Sequence, residues 1–159
     1  MNVLRGIAGA IILGLLFATS VSAQVRVTVP GKKYAKDAKI TATVSNESSQ
    51  PITVCVASGQ ISTTKEVVVS TPVPFEIEGK VRERWKALMA SPEGGGDHQA
   101  VVLESKKSLE FPFWPPDKGE LRLRMKYWEG ARPNMDCAQP GTDAHEAKGV
   151  TFEILRKLE

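Results

Sequence analysis

The chain predicts an all-β fold, an antiparallel sandwich of about seven or eight strands with one short helix. Three observations carry this expectation. Apolar residues recur at every second position in stretch after short stretch, prolines and glycines punctuate those stretches, and a single segment shows apolar spacing of helical period.

The first segment stands apart from that pattern. Arg5 precedes an apolar run from Ile7 to Ala18, followed by Thr19, Ser20, Val21, Ser22 and Ala23. This order predicts a secretory signal over residues 1–23, cleaved between Ala23 and Gln24. A membrane anchor is the rival reading, but about a dozen apolar residues fall short of the ~20 that cross a bilayer as a helix. No later segment is apolar enough to span, and no cysteine stands at the new terminus to take a lipid. Residues 24–159 then make a single domain, secreted or periplasmic, of a length that buries roughly two-thirds of its extended surface. Of the 21 lysines and arginines only Arg5 is lost, so 20 basic side chains face 18 acidic ones, a net +2. Such a balance gives little long-range steering and lacks the dense basic footprint of a nucleic-acid binder.

Export also governs the cysteines. Cys55 and Cys137 both lie in the mature part, and an oxidising compartment favours one intramolecular disulfide over free thiols, an intermolecular bridge or a metal. Closing a loop of about 80 residues stabilises by roughly 4–5 kcal/mol in the chain-entropy model.

The elements follow in order. Val25, Val27 and Val29 alternate with polar neighbours until Pro30 and Gly31, an edge strand followed by Lys32, Lys33, Lys36 and Lys39. Ile40, Ala42 and Val44 share one face of the next strand, and turn formers over 46–51 let residues 52–58 return as its hairpin partner. There Ile52, Val54 and Val56 point one way and Cys55 the other, so a loop carrying Cys137 would be pinned to the outside of the sheet. Residues 66–70 are β-prone, and Pro72 and Pro74 extend the chain before Phe75 and Ile77. Val81, Trp85, Leu88 and Met89 recur at helical spacing across residues 79–91, which predicts the short helix, with Trp85 a core plug and Gly94, Gly95 and Gly96 a flexible turn. Residues 100–103 and 108–113 read as strands, then Trp114, Pro115 and Pro116 as a rigid turn. The longest signal is 120–128, where Leu121, Leu123, Met125 and Tyr127 alternate with Arg122, Arg124, Lys126 and Trp128. Residues 130–148 show no periodicity, and Val150, Phe152 and Ile154 make a last strand.

Asp117, Lys118, Gly119, Glu120, Leu121, Arg122 and Leu123 form a turn and strand entry that resembles the one leading into the sixth strand of immunoglobulin-like and fibronectin type III-like domains of secreted bacterial proteins. The resemblance covers most of residues 24–159 and implies an antiparallel immunoglobulin-like sandwich. Leu121 stands where that family has its corner tyrosine, and the strand lacks the second cysteine of antibody domains. Cys137 falls in the following loop instead. The fold serves adhesion, scaffold, chaperone and inhibitor roles, so architecture selects none of them. A lipocalin-like closed barrel is the structural alternative.

Arg122, Arg124 and Lys126 project together at about 6–7 Å spacing, with Trp128 ending the row. An extracellular protein or an anionic cell-surface polymer could use such a ladder, with the indole stacking on an apolar or sugar face. The plainer reading is a solvated face paired with acids such as Glu104, Glu110 or Glu153. Trp114 either presents a rigid contact or closes one end of the sandwich. The lysines at 32, 33, 36 and 39 either touch anionic surfaces or protect an edge. His98, His145, Asp97 and Asp143 lack the clustered spacing of a metal site, and no nucleophile elbow, phosphate loop or acid–base pair stands out. The expectation is an exported, non-catalytic binding or accessory module without a cofactor. An inhibitor of an extracellular hydrolase, using residues 130–148 or 114–119, is one alternative. A small secreted hydrolase using histidine and carboxylate groups is the other.

Overall fold

Alternation is what the backbone follows. The structure, a computed structural model, describes residues 24–58, 61–63, 66–68, 72–89, 98–115 and 119–155. The expected leader lies outside them, as do Gly94, Gly95, Gly96, Asp97, Pro116, Asp117 and Lys118. Among the described residues every regular element is a strand: β1 (Val25–Thr28), β2 (Lys33–Tyr34), β3 (Ile40–Asn46), β4 (Ile52–Ser58), β5 (Ile61–Thr63), β6 (Glu66–Val68), β7 (Pro72–Val73), β8 (Phe75–Val81), β9 (Arg84–Met89), β10 (His98–Leu103), β11 (Ser108–Phe113), β12 (Gly119–Glu129) and β13 (His145–Ile154).

Two sheets form the body. The smaller has the order β1-β3-β11. The larger runs β10-β4-β12-β13-β2, with β8 on β12, β9 on β8 and β7 on β4, while β5 and β6 make a separate ribbon. The inward sets are the ones that alternation selects: Ile40, Ala42 and Val44 on β3, Val54 and Val56 on β4, and Leu121, Leu123 and Met125 on β12. Aromatic rings knit the sheets together. Phe75 of the larger sheet meets Phe113 of the smaller edge to face at 5.2 Å, and Phe113 meets Phe152 at 6.3 Å.

The strands that carry the sandwich are β1, β3, β4, β8, β10, β11, β12 and β13. In constant-type immunoglobulin domains the fourth strand lies beside the fifth. Here β10 instead pairs with β4 over its whole length, which leaves β1, β3 and β11 as the smaller sheet. The start of the chain also changes sheets. β1 pairs antiparallel with β3, and after Pro30 and Gly31 the chain crosses so that β2 pairs parallel with the end of β13. Gly149 lets the two edges approach, because a Cβ there would stand 3.0 Å from the Val27 carbonyl oxygen and 3.1 Å from the Leu123 Cβ.

Four expectations are corrected. The helix over 79–91 is absent, because residues 75–81 and 84–89 form the β8–β9 hairpin. Its two-residue turn puts Arg82 and Glu83 at φ 48° and 63°, left-handed conformations that Asn and Gly usually supply. Trp85 accordingly lies outside the core on β9. The strands at 40–46 and 52–58 do not form a hairpin, since their apolar faces oppose one another across the core from different sheets. The last strand begins at His145, and a bulge opposite Leu123 interrupts the alternation of its first half. Two distinct sheets replace the closed-barrel alternative.

Candidate functional site at one end of the sandwich

Strand register gathers three connections at one end. Ile52 opens β4 opposite Leu103 and near Glu129, which it also pairs with, so the 46–51 loop, the 104–107 turn and the 130–144 loop emerge together. Gln24 joins them, its carbonyl accepting from the Glu47 amide at 2.7 Å.

One amide organises the first two connections. Asn46 continues the inward row of β3 and is 1% exposed. Its Nδ2 donates to the carbonyls of Gln50 at 2.8 Å, Leu103 at 3.0 Å and Glu104 at 3.2 Å, and its Oδ1 accepts from the Ser48 amide and hydroxyl. A donor and acceptor in one neutral side chain thus ties the backbone of both connections to the end of β3. The Ser105 hydroxyl adds a bond to the Ser48 carbonyl, and the Lys106 ammonium caps the Glu47 carbonyl.

The third connection is fixed differently. Gly130 donates its amide to the Pro51 carbonyl at 2.8 Å, joining the 130–144 loop to the 46–51 loop. Thr53, fully buried on the outer side of β4, donates its hydroxyl to the Gly130 carbonyl and accepts from the Arg132 amide, both at 2.8 Å. Arg132 closes the loop's root through Asp143 at 2.7 Å. The guanidinium bond holds the Asp143 carboxyl below the usual carboxylate range. In the middle of the loop Cys137 is bonded to Cys55, as the parity of β4 predicts, across a sequence separation of 82.

The bridge covers Trp128. The ring does end the outward row of β12, yet it is 1% exposed and packs with Cys55 and Cys137 beneath Ala100, Met135 and Ala144. The expected contact role of Trp128 is therefore corrected: the loop folds back over it. Its Nε1 has no hydrogen-bond partner among the described residues, a burial that costs about 1–3 kcal/mol.

The rest of the row is embedded in carboxylates. Glu78, only 5% exposed, accepts from Arg122 Nε and from Arg124 Nη1, the latter at 3.4 Å. Arg124 also meets Glu146 at 3.0 Å and Glu76 at 3.8 Å, and Arg122 lies over the Trp85 ring at 4.4 Å. Lys126 stands opposite Glu146 in register. The face is paired, as the plainer reading expects, but by acids of β8 and β13 rather than by Glu104, Glu110 or Glu153.

Trp114 belongs to the opposite end, half-buried, with the Lys39 ammonium 5.5 Å from its ring centroid. Lys33 pairs with Glu153 at 3.5 Å, where β2 covers the end of β13. His98 and His145 do not meet. β4 and β12 lie between their strands, about 14 Å at ordinary strand spacing. His145 stacks on Tyr127 at 5.3 Å, and burial raises the Tyr127 phenol pKa, with Glu129 adding to the effect. Among the described residues no three metal-ligating side chains cluster, and no helix is long and apolar enough to cross a membrane.

Sequence reasoning missed Asn46, Thr53 and Glu78. The signal for Asn46 was parity, because it is the next inward position after Ile40, Ala42 and Val44.

No family model and no curated protein matches the chain. Among solved structures it is similar to the ASH / PapD-like domain of human CEP192 (PapD-like domain 7), with 12% identity and a TM-score of 0.29 over 99% of each chain. A likeness at that level carries no argument about function, and the fold assignment rests on the strand order.

Proposed function

We propose that the chain is an exported, non-catalytic recognition module for a protein outside the cytoplasm, and that the loop end is what touches that partner. One observation carries the reading. The 130–144 loop is ordered before any partner arrives, by the Cys55–Cys137 bridge, the Thr53 hydroxyl and the Arg132–Asp143 pair, and it is bonded to the neighbouring 46–51 loop. Loops on a rigid scaffold are where proteins place binding residues, and a preformed loop loses little entropy on contact. Pro133, Asn134, Asp136, Gln139 and Thr142 display their side chains there.

An anionic polymer gains less support, because Glu76, Glu78 and Glu146 already neutralise Arg122 and Arg124. The two partner classes separate in one experiment. Oxidised residues 24–159 serve as bait for material from the native exterior, alongside an Asn134→Lys/Gln139→Lys variant and an Arg122→Ala/Arg124→Ala variant. The loop variant is expected to lose tenfold or more in affinity, about 1.4 kcal/mol, and the arginine variant to keep most of it. The reverse order would remove the loop-end reading. Inhibition of a hydrolase uses the same rigid loop, and stoichiometric loss of a secreted protease's or glycan hydrolase's activity would identify that kind of partner.

A further inference from the structure

We propose that the Cys55–Cys137 bridge is a latch: reduction by a dithiol frees the 130–144 loop and uncovers Trp128 while the sandwich stays folded. The proposal rests on the loop end being the recognition surface, and it assigns that surface a redox control.

Placement is the first argument. The bridge lies on the outer face of the larger sheet, and its apolar cluster of Cys55, Trp128 and Cys137 shares no residue with the core between the sheets. Ala100, Met135 and Ala144 are the further apolar side chains packed against it. The patch is separate from the sandwich interior, and the middle of the loop is held down by the covalent bond together with the packing of Met135 and Ala144 over Trp128. The remaining ties, at Thr53, Gly130, Arg132 and Asp143, sit at the loop's root.

Backbone and polarity agree with a closed state that opens. Gly130 and Gly141, with φ of 83° and 82°, bracket Met135 and Cys137 and supply hinge points where side-chain sterics impose no barrier. The indole Nε1 of Trp128 is buried without a partner while the loop is closed, and it gains water when the loop lifts. Closure therefore works against one unsatisfied donor, and the bridge offsets that cost.

The chemistry balances within ordinary thiol–disulfide exchange. A thiolate of the dithiol attacks one cysteine sulfur and releases the other as a thiolate. The reagent's second thiol then displaces the first cysteine and closes a cyclic disulfide. Two electrons and two protons pass from the dithiol to Cys55 and Cys137. Both cysteines are 3% exposed, so the dithiol reaches the sulfurs slowly.

The test needs no partner. In the full chain carrying Trp85→Phe and Trp114→Phe, Trp128 is the remaining indole and reports on its own surroundings. The protein is treated with dithiothreitol, and alkylation with mass analysis shows when both thiols are free. The expected result is a red shift of emission, access of iodide to the ring, and loss of amide protection over 131–144 with protection retained in β3 and β12. Cys137→Ser should show the same changes without reductant. Trp128 remaining shielded in the reduced protein would overturn the proposal, and so would loss of protection in β3 and β12 together with the loop. Either failure leaves recognition by the loop end standing. Conversely, a loop end that captures nothing leaves these readouts unaffected.

Discussion

β4 faces two interiors. Its inward side chains Val54 and Val56 join a core built from both sheets, and its outward side chains Thr53 and Cys55 join the small assembly under the 130–144 loop. The first interior is held by many interchangeable contacts, and each of its members repeats a pattern visible along the strands. The second is held by single groups: one hydroxyl, one bridge and, at the adjoining turns, one amide. Redundant packing makes a scaffold, whereas individually specified bonds place a surface.

The largest effect should come from the redundant side, because its contacts are tightly packed. Phe75→Ala removes a fully buried ring that touches Phe111 and Phe113, and should cost about 3–5 kcal/mol in urea unfolding. Amide exchange should then rise across both sheets together.

Asn46→Ala comes next, at about 1–3 kcal/mol, since it removes the buried amide that donates to the Gln50, Leu103 and Glu104 carbonyls, the first and last of which keep the Ser48 hydroxyl and the Lys107 amide as donors. Its signature sharpens the comparison. Exchange should accelerate at 46–51 and at 103–107 in the same variant, two connections far apart in sequence, while the centre of β12 stays protected. Acceleration at one of them alone would mean that the amide does not couple them.

Glu78→Gln probes the paired outer face. It keeps the shape and removes the charge that Arg122 and Arg124 share, so a loss of about 1–2 kcal/mol is expected, with weaker salt dependence of the unfolding midpoint.

The smallest effect is a pH response confined to the loop's root. Arg132 depresses the Asp143 carboxyl pKa in the folded protein, so this tie contributes fully above the unfolded value and is lost as pH falls through the folded one. Exchange over 131–144 should therefore rise at pH below the ordinary carboxylate range before the strands respond, and Asp143→Asn should abolish that step.

Much of the scaffold is legible in the sequence because burial imposes a period of two on a strand. β3 shows it without interruption and β12 shows it as far as Tyr127, and the parity of Ile52, Val54 and Val56 suffices to put Cys55 on the outer face of β4. The β8–β9 hairpin is hidden because Val81, Trp85, Leu88 and Met89 satisfy helical spacing, and its turn uses Arg82 and Glu83 where sequence reasoning looks for Asn and Gly. The loop end is less legible for a different reason. Asn46 and Thr53 reach backbone groups 57 to 79 positions away, and nothing in their own neighbourhoods announces those partners. The burial of Trp128 belongs to the same class, since a residue on an outward row is exposed until something folds over it.

The central claim is that the 130–144 loop is preformed. Backbone 15N relaxation on oxidised residues 24–159 tests it most directly. The account predicts order parameters over 131–144 close to those of β12, about 0.85, and values below about 0.6 across the loop would contradict it.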